Sequence, residues 1–105
     1  MHPNMIDGQE VLGHPNQNVN PSDVNDVIGE FAQATTDDVD RAIRAARSAH
    51  GAWSAKQPIE RSNYLREISA RILALSEDLA QMLAREEGKP IKEARGEVRR
   101  AALTF

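Results

Sequence analysis

From residue 35 to the last residue, apolar side chains recur at intervals of three and four, a period that only an α-helix gathers onto one face. The first run is Val39, Ala42, Ile43, Ala46, Ala49 and Trp53; the second is Leu65, Ile68, Ile72, Leu75, Leu79 and Met82; the third is Ile91, Ala94, Val98, Ala101 and Phe105. Each run carries its own punctuation. Thr35-Thr36-Asp37-Asp38 fits a capping box with acids at the positive end of the helix dipole, and Asp37/Arg41 and Asp40/Arg44 stand at ion-pair spacing. Pro58 suits a first helical position, Ser76-Glu77-Asp78 reads as a cap inside the second run, Gly88 supplies a stop and Pro90 a restart. The pattern predicts helices over 36–51 (closing near Gly51), 58–75, 77–87 and 90–105. Aromatic residues make up 4% of the chain, so the core is expected to be built mainly from aliphatic side chains and Ala. Its expected members are Val39, Ile43, Trp53, Leu65, Ile68, Ile72, Leu75, Leu79, Met82, Ile91, Val98 and Phe105.

The first third follows another rule. Met5-Ile6, Asp7-Gly8 and Val11-Leu12 make a hairpin signal, because both central residues of a type I′ turn need positive φ. Pro15-Asn16-Gln17 reads as a loop, Asn18 to Pro21 as an extended stretch followed by a polar turn, and Val27-Ile28-Gly29-Glu30-Phe31 as a further strand. Strands are expected near 4–7, 9–12, 17–20 and 27–32. The fold class is therefore an α/β fragment, mainly helical, with short N-terminal strands followed by three to four amphipathic helices. Two parts are expected: 1–34, a hairpin with an extended segment, and 35–105, a helical segment.

Several chemistries are excluded by composition. With no cysteine, the chain has no thiol nucleophile, disulfide or Cys-ligated metal. His2, His14 and His50 share no ligand spacing and read as surface or structural residues. Gly88-Lys89-Pro90 lacks the earlier glycine and the following Ser or Thr of a phosphate loop, and no G-x-G-x-x-G occurs. Residues 1–40 carry a formal charge of −8 and residues 41–105 of +5, but the bases alternate with acids and lack interleaved aromatics, so no nucleic-acid partner is expected. Glu86, Glu87, Glu93 and Glu97 interleave with Arg85, Lys89, Lys92, Arg95 and Arg99, the pattern of a solvated ion network rather than an acid/base pair. No apolar run is long enough for a membrane span and the start lacks signal-peptide regions, so a cytoplasmic protein without membrane contact is expected. The third stripe runs to Phe105 without a cap, which reads as a cut chain.

The order of short words adds to this reading. Ile6-Asp7-Gly8-Gln9, Asn20-Pro21, Val27-Ile28-Gly29, Asp37 to Ile43 with Ala45-Ala46-Arg47 and Trp53, then Pro58 to Arg61 with Leu65, Glu77 to Leu83, and Glu86-Glu87-Gly88-Lys89-Pro90 followed by Glu93-Ala94 and Glu97 together resemble the N-terminal stretch of the aldehyde dehydrogenase superfamily. The resemblance spans about Met5 to Phe105. Within the superfamily, the run Asn20 to Gly29 looks most like members that oxidise α-ketoglutaric semialdehyde.

The resemblance implies oxidation of an aldehyde to a carboxylate by NAD or NADP through a thiohemiacetal on a cysteine. In the family that cysteine, the general base and the cofactor-gripping residues lie downstream, so no catalytic or cofactor-binding residue is expected in this chain, nor cofactor binding by it alone. The implied role is scaffold and assembly, with the rest of an aldehyde dehydrogenase polypeptide or a second copy of the chain as partner. The resemblance also points to a monovalent-cation site at Val19 and Glu97. The alternative reading of the same residues is a free-standing helical interaction module. Either way the apolar stripes are expected to outnumber the surfaces available to cover them, leaving a loosely packed chain prone to self-association.

Overall fold

A computed structural model describes all 105 residues. Four strands precede four helices: β1 (Asn4–Ile6), β2 (Gln9–Val11), β3 (His14–Asn20), β4 (Asp23–Gln33), α1 (Thr36–Ala55), α2 (Pro58–Ala74), α3 (Ser76–Glu87) and α4 (Ile91–Thr104). The strands form two antiparallel or paired ribbons, β1 with β2 and β3 with β4. Met1–Asn18 and Gly29–Lys56 form one compact unit; Val19–Ile28 and Gln57–Phe105 form the other.

In the first unit, Asp7 and Gly8 take φ of 53° and 72°, the positive values that the two-residue turn requires, and they place Ile6 opposite Gln9. The His2 amide donates to Glu30 O at 2.7 Å, the Ala32 amide donates to His2 O at 2.9 Å, and the His2 ring stacks on Phe31 with centroids 4.8 Å apart. His2 is thus structural. Thr35 caps α1: its hydroxyl accepts from the Asp38 amide at 3.2 Å while the Asp38 carboxylate accepts from the Thr35 amide at 3.0 Å. That box fixes Asp38, and Arg41 pairs with Asp38 at 3.2 Å, one turn on, rather than with the expected Asp37.

In the second unit, α4 lies against both α2 and α3. The buried residues there are Ala80, Ala94, Val98 and Ala102, with Ile72, Leu83, Ala84 and Ile91 packed around the cluster of Ala80, Ala94 and Val98. Small side chains let the helices approach closely, and Ser69 Oγ donates to the Ala102 carbonyl at 2.6 Å. None of the four helices is long and apolar enough to cross a membrane.

Five expectations are corrected. Pro15-Asn16-Gln17 belongs to β3, not a loop; a strand with a single neighbour leaves alternate N–H groups unused, so a proline is tolerated there. The polar turn shrinks to Pro21-Ser22, because Asn20 Oδ1 accepts from the Ser22 amide at 2.9 Å and turns the chain at once. Helix α1 passes Gly51, whose cost of about 1 kcal/mol relative to Ala is affordable, and stops at Ala55, where Pro58 forces Gln57 to ψ 144°. The break before α3 occurs, but the junction residue is Leu75 at φ −101°, ψ 14°, and Ser76 is already helical. The Leu75 amide donates to Arg71 O and the Leu79 amide to Leu75 O, so the ladder bends without a side-chain cap. The fifth correction is the core: of the twelve expected members Val98 is buried, Ile72 and Ile91 pack partly buried against its cluster, and the other nine are exposed.

Candidate functional site

The densest polar cluster of the second unit is built at the α3–α4 corner. Gly88 ends α3 in the left-handed region at φ 65°, as its missing Cβ allows, and turns its carbonyl to accept from Ser22 Oγ at 3.1 Å. Three residues earlier, the Arg85 guanidinium forks onto Asp26, Nε to Oδ2 at 3.0 Å and Nη2 to Oδ1 at 2.6 Å, and Asn20 Nδ2 donates to the same carboxylate at 3.2 Å. The hydrogen bonds from Arg85 and then Asn20 hold Asp26 below the usual carboxylate range, and Asp26 raises Arg85 in return. Lys89 Nζ sits between Glu87 at 2.5 Å and Glu97 at 2.7 Å, and its pKa is raised by these two bonds. Elsewhere on α3, Glu77 accepts both prongs of Arg95 at 2.9 and 2.7 Å and is lowered to about 2, with Gln81 adding a further bond.

These groups tie elements together through ion pairs and hydrogen bonds. A general base at neutral pH needs a pKa near the working pH, whereas Asp26 and Glu77 are pushed the other way and already accept hydrogen bonds. Val19, proposed from the sequence as a cation ligand, is half-buried near the end of β3. Glu97, its expected companion, lies on α4 with its carboxylate held by the Lys89 ammonium, and no hydrogen bond or ion pair joins the two. No three His, Asp or Glu side chains are gathered so as to hold a metal ion. Sequence spacing gave no sign of Asp26–Arg85, whose members are 59 residues apart; the sole hint was the split between an acidic first portion and a basic second one.

The other candidate is apolar. Ile72, Leu79, Met82, Leu83, Glu86, Val98 and Ala101 line a hollow of about 350 Å³ on the second unit. Leu79 and Met82 of its lining are exposed, as are Leu65, Ile68 and Leu75 at helical spacing before them, Met82 by 46% and Leu75 by 53%. A second hollow, about 440 Å³, has Leu73 and Leu103 as apolar walls and Glu77, Arg95 and Arg99 as its charged rim.

Comparison with known proteins gives a consistent picture. The profile of the aldehyde dehydrogenase family matches residues 8–105. The chain is 37% identical over 100 residues to the α-ketoglutaric semialdehyde dehydrogenase of Bacillus subtilis, covering 92% of this chain and 20% of that protein. It is 46% identical over 70 residues to the N-succinylglutamate 5-semialdehyde dehydrogenase of Paraburkholderia xenovorans, covering 67% of this chain and 14% of the relative. Among solved structures, the NAD-dependent aldehyde dehydrogenase from Sinorhizobium meliloti superimposes with a TM-score of 0.90 at 35% identity, over 96% of this chain and 21% of that one. The chain therefore spans about a fifth of the length of these relatives.

Proposed function

The chain belongs to the aldehyde dehydrogenase family, and from that premise we propose that it is a scaffold segment of an NAD(P)-dependent aldehyde dehydrogenase, catalytically inert by itself, whose apolar helical face seats the polypeptide that carries the cofactor and the reactive thiol. The observation that carries this reading is the inversion on α2–α4: alanines and Val98 are buried while Leu65, Ile68, Leu75, Leu79 and Met82 stand exposed. Each of these side chains stays between 37% and 53% exposed, so roughly half of the 1.5–3 kcal/mol that full burial of a large apolar side chain returns is left unrealised.

The absence of cysteine from these 105 residues supports the inert half of the proposal, since thiohemiacetal formation needs a thiolate. The names of the relatives make a semialdehyde the first substrate class to try for the whole enzyme, and the Sinorhizobium protein is described as NAD-dependent. The partner is the remaining aldehyde dehydrogenase polypeptide, with self-association through the same face when that polypeptide is missing. The test is calorimetry of the purified chain with NAD and NADP, alongside binding of a dye that reports exposed apolar surface. The expected result is no heat of cofactor binding and strong dye fluorescence. Saturable cofactor binding would overturn the inert assignment. A monomer that ignores the dye and unfolds in one sharp transition would favour a free-standing module instead.

A further inference from the structure

Residues 19–28, the tip of the β3–β4 hairpin, group with α2–α4 although the helices follow dozens of residues later. What seats the tip is polar. Of its apolar residues, Val24 and Val27 are exposed, and Val19 and Ile28 are only half-buried, so no buried side chain anchors it. The anchors are the Arg85 fork on Asp26 and the Ser22 hydroxyl on the Gly88 carbonyl, contacts that span 59 and 66 residues of sequence. The seat is also close-fitting: a Cβ added to Gly88 would lie 2.5 Å from Ser22 Oγ and 2.9 Å from Pro21 Cγ.

We propose that the tip is a strap, latched on the α3–α4 corner by Asp26–Arg85 and Ser22–Gly88, which opens as a unit while the helices stay folded and which acid unlatches. Segments with few buried apolar contacts and exposed hydrogen bonds open at lower free energy than the core. Protonating Asp26 removes the charge that makes its fork with Arg85 a strong, two-pronged contact. The groups that act on Asp26 are Arg85 from α3 and Asn20 from β3. Further round the corner, Lys89 is held between Glu87 and Glu97, and on the strap itself Asp23 accepts from the Asn25 amide. In the latched state Asn20 and Ser22 form one wall of a hollow of about 260 Å³ whose other residues are Ala84, Arg85, Gly88, Lys89 and Ile91, and opening removes that wall. The half-buried Ile91, which packs on the helical core and lines the same hollow, then becomes more exposed.

The experiment is hydrogen–deuterium exchange of the full 105-residue chain, read by mass spectrometry on peptides from 19–28 and from 76–104. At pH 7, Asp26→Asn is expected to speed exchange of the strap about fivefold, the scale of a surface ion pair, with the α3 and α4 peptides unchanged. Ser22→Ala is expected to move the same peptide in the same direction by less. As the pH falls below the ordinary Asp range, the wild-type strap is expected to converge on the Asp26→Asn rate measured at the same pH, before the helices lose protection. Equal acceleration of strap and helices, or a strap indifferent to Asp26→Asn, would overturn the proposal.

Discussion

Helices α1 and α4 read alike in the sequence, each with an apolar stripe at helical spacing, yet they end in opposite states. Helix α4 buries Ala94, Val98 and Ala102; α1 buries none of its 20 residues, and Val39, Ile43 and Trp53 remain 50%, 48% and 41% exposed. The stripe sets which face is available for burial, and neighbouring elements decide whether it is used. Helix α4 has two helices against it, whereas within its unit α1 meets strand β1. Helix α1 is nonetheless well made locally, with a full capping box at Thr35 and Asp38. Local signals and tertiary cover are thus separate contributions, and this chain supplies the first along its whole length and the second only in part.

The largest expected effect tests that separation by overfilling. Ala94→Leu places three extra carbons where no surface is accessible and is expected to destabilise the second unit by about 1–3 kcal/mol. The same change on the α1 stripe, Ala46→Leu, falls at an exposed position on the rim of a shallow hollow beside Met5 and Ile6, which has room for it, and is expected to stay within about 0.5 kcal/mol. Urea midpoints of the two variants measure the difference; similar losses at both positions would erase the contrast drawn between the helices.

A smaller effect follows from charge. Glu77 is lowered in the folded chain from 4.5 to about 2 by its bonds to Arg95 and Gln81. A depressed carboxyl pKa stabilises the fold fully above the unfolded value and loses that contribution as pH falls through the folded one. The gap in stability between wild type and Glu77→Gln is therefore expected to hold from neutral pH down to about 4.5, shrink below it, and close near pH 2. A gap that widens in acid would contradict the assigned pair. Asp38 of α1 is lowered too, mainly by the Thr35 amide, so its contribution has the same sign and is lost on the same acid side.

Where one residue type dictates one backbone state, the sequence was readable. Asp7-Gly8 produced its hairpin turn, Thr35 to Asp38 its box, Pro58 its helix start and Gly88 its left-handed stop. The order of motifs was equally informative about the family. Long-range pairing was not readable, because Asp26 and Arg85, or Ser22 and Gly88, meet through the path of the hairpin and not through any spacing along the chain. Nor was the identity of the core: periodicity marks a face, and large residues such as Leu79 and Met82 sit on faces that α2, α3 and α4 leave open. Composition pointed to alanine as core material without saying which alanines, and Ala80, Ala94 and Ala102 are the ones that the close approach of the helices selects.

The central claim is that apolar patterning is covered on α4 and left uncovered on α1 and on the Leu79 and Met82 side of α3. A chain without cysteine allows a direct measurement, the rate of thiol labelling at single introduced cysteines. In a chain diluted until it is monomeric, Ile43→Cys on α1 and Met82→Cys on α3 are expected to react nearly as fast as an unstructured peptide thiol, while Val98→Cys on α4 reacts more slowly by at least about tenfold, the penalty of waiting for an opening reaction. Labelling of Ile43→Cys and Met82→Cys as slow as that of Val98→Cys would contradict the account.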